Sequence, residues 1–263
     1  MTTNLPMTVK PKKHFGQHFL WDKNIARKIV NYFKEEAPPG KVLEIGPGKG
    51  VLTEMLLEHF DKNFYAIEID KESVSYLNNK YPKIKEYLME KDFLKLDIEK
   101  HFRDDVSIIG NFPYNISSQI FFKILGRRDK IPFVVGMLQR EVAERIVAPP
   151  GSKVYGILSV LLQAFYEVEI LFNVGPKSFA PPPKVNSSVV SLKRNKRTNL
   201  KCDEEKFFRI VKQGFNQRRK ILRNSLKSFL LNLEIESKLL EKRPEQLSVD
   251  DFVELTKLLS CNK

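Results

Sequence analysis

The fold is decided by residues 41–70, which read KVLEIGPGKGVLTEMLLEHFDKNFYAIEID. A short apolar run, Val42–Ile45, leads into a glycine-rich turn, and apolar residues then recur at helical spacing over Val51–Phe60. A second run of strand-forming residues, Phe64–Ile69, follows. A strand, a helix and a second strand in this order predict a parallel β-α-β unit and therefore an α/β fold.

The same alternation of strands and helices continues to about residue 195. Apolar runs and helical spacing predict strands at Lys85–Met89, Val106–Gly110 and Phe133–Leu138, and helices at Glu72–Lys80, Ser117–Leu125 and Arg140–Val147. Tyr166–Phe172 and Ser187–Leu192 alternate like strands, and we expect them to close the sheet as a terminal hairpin. The apolar segment Gly156–Phe165 fits either type of element.

A change in composition marks a second domain. Between Lys193 and Arg223 there are twelve basic and three acidic residues, so this segment carries nine of the thirteen net positive charges. We therefore expect an α/β domain over residues 1–195 and a small all-helical domain over residues 196–263. Helical spacing predicts the helices of the second domain at Glu204–Phe215, Lys220–Leu231 and Val249–Leu259.

Length, charge and composition exclude several classes of protein. The 263 residues carry a net charge of +13, so a polyanion such as RNA, DNA or an acidic membrane face is the expected partner. Apolar residues at 42% exclude intrinsic disorder, and no apolar run reaches the roughly 18 residues of a membrane span. Cys202 and Cys261 are too few for a disulfide framework or a tetrahedral metal site, and the N-terminus lacks the apolar core of a signal peptide. We expect a soluble cytoplasmic protein without a metal.

The turn after the first strand, residues 44–50 (EIGPGKG), suits the close approach of a ligand. Its glycines allow a sharp turn, and the helix start that follows supplies free amides. A dinucleotide site is one interpretation, but the spacing is G-x-G-x-G and Pro47 removes one amide. A nucleoside cofactor without phosphates, such as S-adenosylmethionine, is the second, because its amino-acid tail needs only amide and carbonyl contacts near Gly46. A glycine turn that binds nothing is the third.

Two acidic residues at strand ends favour a ligand. Glu68 follows Gly46 by 22 residues, about where an acid accepts hydrogen bonds from ribose hydroxyls in doubly wound folds. Asp92 ends the next strand, where it can accept from an adenine amine while Phe93 packs on the ring. Either acid alone is typical of a solvated strand end, but together with the glycine turn they predict a nucleoside site at one sheet edge.

The fourth strand is followed by Asn111-Phe112-Pro113-Tyr114, a candidate for the reacting end of the site. Proline makes this turn rigid, so the side-chain oxygen of Asn111 and the carbonyl of Phe112 are expected to face one cleft. Two acceptors would bind both hydrogens of an exocyclic adenine amine and direct its lone pair at an electrophilic methyl group. Tyr114 offers an aromatic face for the base. A plain β-turn is the alternative.

Five segments together resemble the ribosomal RNA adenine dimethyltransferases, and in particular the type that modifies small-subunit RNA. They are Phe15–Leu20 (FGQHFL), Glu44–Gly50 (EIGPGKG), Asn111–Tyr114 (NFPY), Gln139–Arg145 (QREVAER) and Phe179–Val185 (FAPPPKV). The resemblance implies a Rossmann-like class I methyltransferase domain with a small helical C-terminal domain, and S-adenosylmethionine as the cofactor. It also implies transfer of two methyl groups to each of two adjacent adenosines near the 3′ end of the RNA, with the pre-30S particle as partner and a monomeric enzyme.

The resemblance further implies roles for individual residues. Asn111 and Tyr114 take the catalytic roles, and Phe179 is the aromatic residue that stacks on the target base opposite Tyr114. The chain departs from the usual pattern at His18, where Asn is common, and at Phe112, where Leu is common. The cofactor contacts of the family fall on Gln17, His18, Leu20, Gly46, Glu68, Asp92 and Asn111.

A basic stretch in the second domain is the candidate RNA contact. Four positive side chains lie within six residues, on Arg218, Arg219, Lys220 and Arg223, and we interpret the stretch as a basic helix start. A solvated charged face is the alternative interpretation. Basic residues near the cofactor site are expected to extend this surface, namely Lys10, Lys12, Lys13, Arg27 and Lys28. The target adenine must be unstacked to enter the cleft, so we expect a single strand, a loop or a flipped base.

Three other functions are compatible with parts of the sequence. Methylation of large-subunit RNA uses the same chemistry, but Phe179–Val185 and the arginine-rich segment resemble the small-subunit type more. A non-catalytic RNA- or DNA-binding assembly or transcription factor would keep the fold and lose the chemistry, and the intact candidate residues argue against it. A dehydrogenase is disfavoured by the glycine spacing.

Overall fold

The computed structural model of the chain describes residues 9–12, 15–231 and 235–260. Cys261 and Lys13 therefore lie outside the described residues. The strands are β1 (Phe19–Leu20), β2 (Lys41–Ile45), β3 (Phe64–Glu68), β4 (Leu88–Glu90), β5 (Val106–Asn111), β6 (Phe133–Gln139), β7 (Tyr166–Val174), β8 (Phe179–Ala180) and β9 (Ser187–Arg194).

The α-helices of the first half of the chain alternate with these strands. They are α1 (Lys23–Glu36), α2 (Thr53–Phe60), α3 (Lys71–Lys80), α4 (Ile98–His101), α5 (Ser117–Leu125), α6 (Arg140–Val147) and α7 (Ile157–Gln163). Those of the C-terminal part are α8 (Glu204–Asn216), α9 (Leu222–Ser225), α10 (Lys227–Leu230) and α11 (Val249–Leu258). Within the described ranges, no helix combines the length and the apolar composition needed to cross a membrane.

A seven-stranded sheet in the order β4-β3-β2-β5-β6-β9-β7 forms the centre of the fold. Strand β2 pairs in parallel with β3 on one side and with β5 on the other, with Val42 opposite Phe64 and Leu43 opposite Ile108. The chain thus reverses its direction of travel across the sheet between β2 and β5, and a ligand crevice is expected outside the carboxyl ends of the strands at such a point. The predicted Rossmann-like α/β fold is confirmed.

Most predicted elements are confirmed, with three differences. Strand β4 begins at Leu88 and not at Lys85, because Pro82–Glu86 forms a 3-10 helix that ends just before it. The predicted helix Lys220–Leu231 is two short helices, α9 and α10, interrupted at Leu226. The ambiguous segment Gly156–Phe165 contains helix α7.

Helix α1 was not among the predicted elements, although the sequence carries its signals. The carboxylate of Asp22 caps the helix by accepting from the backbone amides of Asn24 and Ile25. Its buried residues recur at helical spacing and belong to the main hydrophobic core, namely Ala26, Ile29, Val30 and Phe33. This helix leads out of β1, so it fixes the N-terminal segment that borders the site.

The chain separates into two compact units that differ from the predicted division in one segment. The first unit contains residues 1–143 and 169–193, and the second contains residues 144–168 and 194–263. Residues 144–168 join the second unit because α7, whose side chains are largely buried, packs on α8 and α11. The assignment of methyl transfer to residues 1–195 and of RNA binding to residues 196–263 remains a prediction.

Candidate active site

A cavity of about 260 Å³ lies at the carboxyl ends of β2, β3, β4 and β5, within the first unit. Most of the residues predicted to bind a ligand line it, including Gln17, His18, Gly46, Glu68, Asp92, Asn111 and Tyr114. They come together because the strands are parallel, so that residues following each strand meet at one edge. This position is the crevice that the sheet topology predicts.

The glycine turn after β2 is held against the end of the neighbouring strand β3. Gly46 and Gly48 both have positive φ angles, +66° and +55°, which a side chain would strain. The amide of Gly46 donates to the carbonyl oxygen of Ile67 at 2.9 Å, and that of Gly48 donates to Oε2 of Glu68 at 3.1 Å. A Cβ atom on Gly48 would also lie 2.8 Å from the ring of Phe19. The turn therefore needs glycine both for its conformation and for its close packing.

Glu68 is buried and fixed in position. Its Oε1 atom accepts from the amides of Ile69 and Asp70, both at 2.9 Å, in addition to the bond between Oε2 and Gly48. Burial raises the pKa of Glu68 above its ordinary value, although the backbone hydrogen bonds oppose this shift. A carboxylate has about four acceptor positions, so the three amides leave capacity to accept a ribose hydroxyl.

Asp92 lies at the next strand end, beside an aromatic ring. Its Oδ1 atom accepts from the amide of Leu94 at 2.8 Å and caps the 3-10 helix that begins at Phe93. The ring of Phe93 is buried and also lines the cavity. Asp92 and Phe93 are therefore placed to meet an amine-bearing planar ring from its edge and its face.

Asn111 is oriented by the N-terminal segment. Its Nδ2 atom donates to the carbonyl oxygen of His18 at 2.8 Å. Only the nitrogen end of the amide can donate to a carbonyl, so this bond decides which way the amide points. It leaves Oδ1 as the acceptor of the side chain. His18 thus contributes through its backbone, irrespective of whether its side chain contacts a ligand.

Two aromatic rings stand next to Asn111. The ring centroids of His18 and Tyr114 are 5.4 Å apart and tilted by 31°. Nδ1 of His18 lies 2.9 Å from the carbonyl oxygen of Pro181, and the hydroxyl of Tyr114 is hydrogen-bonded to that of Ser187. Burial raises the pKa of Tyr114 despite the bond to Ser187, so the phenol is neutral near pH 7. Tyr114 therefore offers a ring face and not a base.

Phe112 has a packing role that accounts for its size. Its ring is buried and covers Gly136 of β6, where an added Cβ would lie 2.4 Å from the ring. Its amide donates to the carbonyl of Met137 at 2.9 Å, which fixes the backbone of the turn. The phenylalanine at position 112 is thus matched by a glycine on the neighbouring strand.

Two predicted residues are placed elsewhere. Leu20 is absent from the lining of the main cavity and lines a smaller adjacent one on the other side of Gly46. Phe179 is 2% exposed, pairs with Leu20 in the β1–β8 ribbon and belongs to the main hydrophobic core. In this conformation its ring is not available to a base, so the stacking role of Phe179 stays a prediction that requires a movement of this segment.

Sequence reasoning missed a buried acid beside the cavity. Asp70 is 1% exposed and accepts from Nζ of Lys12 at 2.5 Å and from Nε2 of Gln17 at 3.4 Å. Desolvation opposes ionisation of Asp70, but the hydrogen bonds from Lys12 and Gln17 outweigh it and lower its pKa. Asp70 therefore anchors the N-terminal segment. Lys12, predicted to extend a basic RNA surface, is instead paired with Asp70 and with Glu72.

Glu44, the first residue of the glycine motif, is a second buried acid that the sequence reasoning left without a role. It is 2% exposed, and its Oε2 atom accepts from the hydroxyl of Thr53 at 2.6 Å. Burial raises the pKa of Glu44 to about 8, and the charge of Glu68 adds to the shift. A glutamate inside the apolar strand Val42–Ile45 was the available signal. Protonated at neutral pH, Glu44 adds no second charge beside Glu68.

The basic stretch of the second unit is a turn and not a helix start. Arg218, Arg219 and Lys220 follow the end of α8, and Arg223 lies on α9. Arg223 pairs with Glu241 at 2.7 Å, while Arg218 pairs with Glu245 at 3.8 Å. Arg219 and Lys220 are exposed and have no ion-pair partner in the part of the chain that the structure describes. These two are therefore the cations of the stretch that are free for an external anion.

Comparison with protein families matches residues 8–260 to the family described as ribosomal RNA adenine dimethylase. The chain is 53% identical over 253 residues to "Ribosomal RNA small subunit methyltransferase A" of Cytophaga hutchinsonii, covering 96% of this chain and 98% of that protein. It is 55% identical over 250 residues to the protein of the same name in Parabacteroides distasonis, covering 94% and 93%.

Solved structures agree with these sequence matches. A dimethyladenosine transferase from Plasmodium falciparum superposes with a TM-score of 0.74 at 29% identity, covering 90% of this chain and 96% of that chain. The 23S rRNA methyltransferase ErmE shares the fold, with a TM-score of 0.62 at 24% identity.

The fold and the site define a class I methyltransferase that depends on S-adenosylmethionine. Within that class, the chain belongs to the ribosomal RNA adenine dimethylase family. The chemistry of the cavity fits this cofactor: the glycine turn admits a close backbone approach, and the carboxylates of Glu68 and Asp92 are acceptors of the kind that ribose hydroxyls and an adenine amine require.

Proposed function

We propose that this protein dimethylates the N6 amines of two adjacent adenosines near the 3′ end of small-subunit ribosomal RNA and thereby takes part in small-subunit biogenesis. The family and the names of the relatives support the substrate class. The single observation that carries the chemistry is the bond from Asn111 to the carbonyl of His18, since it leaves an uncharged acceptor at the mouth of the cavity.

We assign cofactor binding to the residues that line the cavity. Glu68 accepts from the ribose hydroxyls, Asp92 from the adenine amine, and the turn at Gly46 meets the amino-acid tail. S-adenosylmethionine supplies an electrophilic methyl group when it is bound. Gln17 and His18 close the cavity from the N-terminal segment, with Gln17 held by Asp70. Leu20 acts as an apolar support behind this segment, since it lies in the core.

Asn111 and Phe112 orient the target amine. In the first transfer, Oδ1 of Asn111 and the carbonyl oxygen of Phe112 each accept one of the two N6 hydrogens, which turns the nitrogen lone pair toward the methyl group. In the second transfer, the monomethylated amine has one hydrogen left, which one of these two acceptors binds. Alignment of this kind contributes about 7–11 kcal/mol to lowering a barrier, so no general base is needed. The proton is lost to water after the nitrogen has become positively charged. Tyr114 holds the base by stacking, and Phe179 joins it once that segment moves.

The RNA backbone is bound by the basic turn of the second unit. Arg219 and Lys220 contact phosphates directly, and Arg218 and Arg223 do so by exchanging their carboxylate partners for phosphates. Binding through phosphates is independent of sequence, so the choice of adenosine rests with the cavity. We further propose that the protein acts as a monomer in the cytoplasm, on the pre-30S particle.

The test is mass mapping of small-subunit ribosomal RNA after incubation with the protein and isotopically labelled S-adenosylmethionine. Two adjacent adenosines, each heavier by two labelled methyl groups, are the expected result. Label on large-subunit RNA alone would support the large-subunit alternative, and RNA binding without any transferred label would support the non-catalytic one.

A further inference from the structure

Trp21, the single tryptophan of the chain, is exposed but held in place. Trp21 is 60% exposed, yet its indole N–H donates to the carbonyl oxygen of Lys177 at 3.1 Å. Its backbone amide donates to the carbonyl oxygen of Ser178 at 3.0 Å. The hydroxyl of Ser178 also reaches the carboxylate of Asp22 at 3.5 Å. The indole bond uses the edge of the ring, so it fixes the ring without occupying a face.

Trp21 directly follows strand β1 and lies close to the cavity along the chain. Phe19 lines the main cavity, Leu20 belongs to the hydrophobic core, and Trp21 is exposed. Three residues span at most about 10 Å, so the backbone of Trp21 is within about 10 Å of that of His18, whose ring faces Tyr114.

The indole is fixed by its edge bond, and the chain that carries it has a net charge of +13. The neighbouring Asp22 caps α1 by accepting from the backbone amides of Asn24 and Ile25. A rigid, exposed aromatic face on a basic protein is an arrangement with which proteins bind unpaired bases of single-stranded nucleic acid.

We propose that Trp21 is a stacking platform for an unpaired RNA base that neighbours the target adenosine, outside the catalytic cavity. This inference rests on the proposed function, since it concerns the same RNA. It assigns to β1 the binding of flanking sequence, while Asn111 and Tyr114 bind the adenosine that reacts. Stacking tolerates any base, so Trp21 adds affinity for single-stranded RNA without choosing the sequence.

Because the chain has one tryptophan, its fluorescence reports on this site directly. Titration of the full-length protein with a single-stranded RNA of about ten nucleotides should quench the emission in a saturable manner. Trp21→Leu should weaken the binding of the same RNA about 5- to 150-fold, as expected for the loss of one stacked base. Trp21→Tyr should retain most of the affinity, since it restores an aromatic face.

Phe122→Leu is the matched control, because Phe122 is also a partly exposed aromatic residue of the first unit, on α5. It should leave RNA affinity unchanged. Equal affinity of Trp21→Leu and wild type would overturn the proposal, as would equal quenching by polyphosphate, which has no bases. A defect of Trp21→Leu on assembled particles but not on naked RNA would assign the face to a protein partner instead. Methylation by the wild type in the same samples tests the proposed function separately.

Discussion

The side-chain amide of Asn111 donates to the carbonyl oxygen of His18 at 2.8 Å, and this bond joins the end of β5 to a segment 93 residues earlier in the chain. The amide is thereby fixed in the orientation that presents Oδ1 as an acceptor. The same N-terminal segment is anchored a second time, by Gln17 on Asp70. Residues far apart in sequence thus set the orientation of the Asn111 side chain.

Asn111→Ala should lower the rate of methyl transfer about 100-fold or more, because it removes both the acceptor and the bond to His18, while RNA affinity stays within about twofold. Losses of this size are typical for a hydrogen-bonding group that is fixed against the reacting atoms. Single-turnover transfer of labelled methyl groups and filter binding of RNA measure the two quantities. Full turnover by the variant would remove Asn111 from the mechanism.

Ser187→Ala should slow methyl transfer through Tyr114. Ser187 is fully buried, and its hydroxyl bonds to that of Tyr114, so the variant leaves a partly buried phenol without this partner. The expected loss of unfolding free energy is about 1–3 kcal/mol, measured by urea denaturation. Tyr114→Phe removes the same bond from the other end.

The double variant tests whether Ser187 and Tyr114 act through their shared hydrogen bond. Ser187→Ala combined with Tyr114→Phe should be no worse than the poorer single variant, in both stability and KM for RNA. Ser188→Ala is the matched control, because Ser188 is equally buried but bonds to Asn173. Additive effects of the two substitutions would show that Ser187 does not position Tyr114.

Much of this site could be predicted from the sequence because parallel strands present their carboxyl ends at one edge. Gly46, Glu68, Asp92 and Asn111 each follow a strand, so fold class and strand order bring them together. The β1–β8 ribbon could not be predicted in this way. It joins residues about 160 positions apart, such as Leu20 and Phe179, and consists of two-residue strands that carry no periodic signal.

Substitution of Gly136 tests the packing of the turn after β5. Gly136→Ala should lower the unfolding free energy by about 1–3 kcal/mol, because the new methyl group would lie 2.4 Å from the ring of Phe112. Phe112→Leu in the same chain should recover part of the loss by making room. Gly126→Ala, whose Cβ would meet atoms no closer than 3.6 Å, should be nearly neutral. Urea denaturation of the four proteins measures these values, and an unchanged stability of Gly136→Ala would contradict the packing.

Glu44 should make the stability of the protein depend on pH between about 4.5 and 8. Its pKa is raised to about 8 in the folded protein, from an ordinary value of 4.5. The unfolded chain therefore loses the proton first, and the contribution of Glu44 to stability is present below pH 4.5 and is lost as the pH rises toward 8. One such group changes the unfolding free energy by up to about 1.4 kcal/mol per pH unit in that window.

Glu44→Gln keeps an acceptor for Thr53 but cannot ionise, so its unfolding free energy should fall less steeply with pH than that of the wild type. Glu58→Gln, an exposed substitution on α2, serves as the control and should follow the wild type. Urea denaturation at pH 5, 6, 7 and 8 gives the comparison. Parallel curves for Glu44→Gln and the wild type would mean that Glu44 is already ionised in the folded protein.

The ion pairs of the basic turn predict unequal contributions to RNA binding. Arg219→Gln with Lys220→Gln removes the two cations that lack a carboxylate partner, so the slope of log affinity against log salt should fall by about 1.4, the value for two contacts to a single strand. Arg218→Gln with Arg223→Gln removes the same charge from residues paired with Glu245 and Glu241. This matched pair should change the slope less, because binding through those residues first requires breaking their ion pairs. Equal slopes for the two double variants would show that the carboxylates do not restrain Arg218 and Arg223. If neither double variant changes the slope relative to the wild type, the turn is a solvated surface that does not bind RNA.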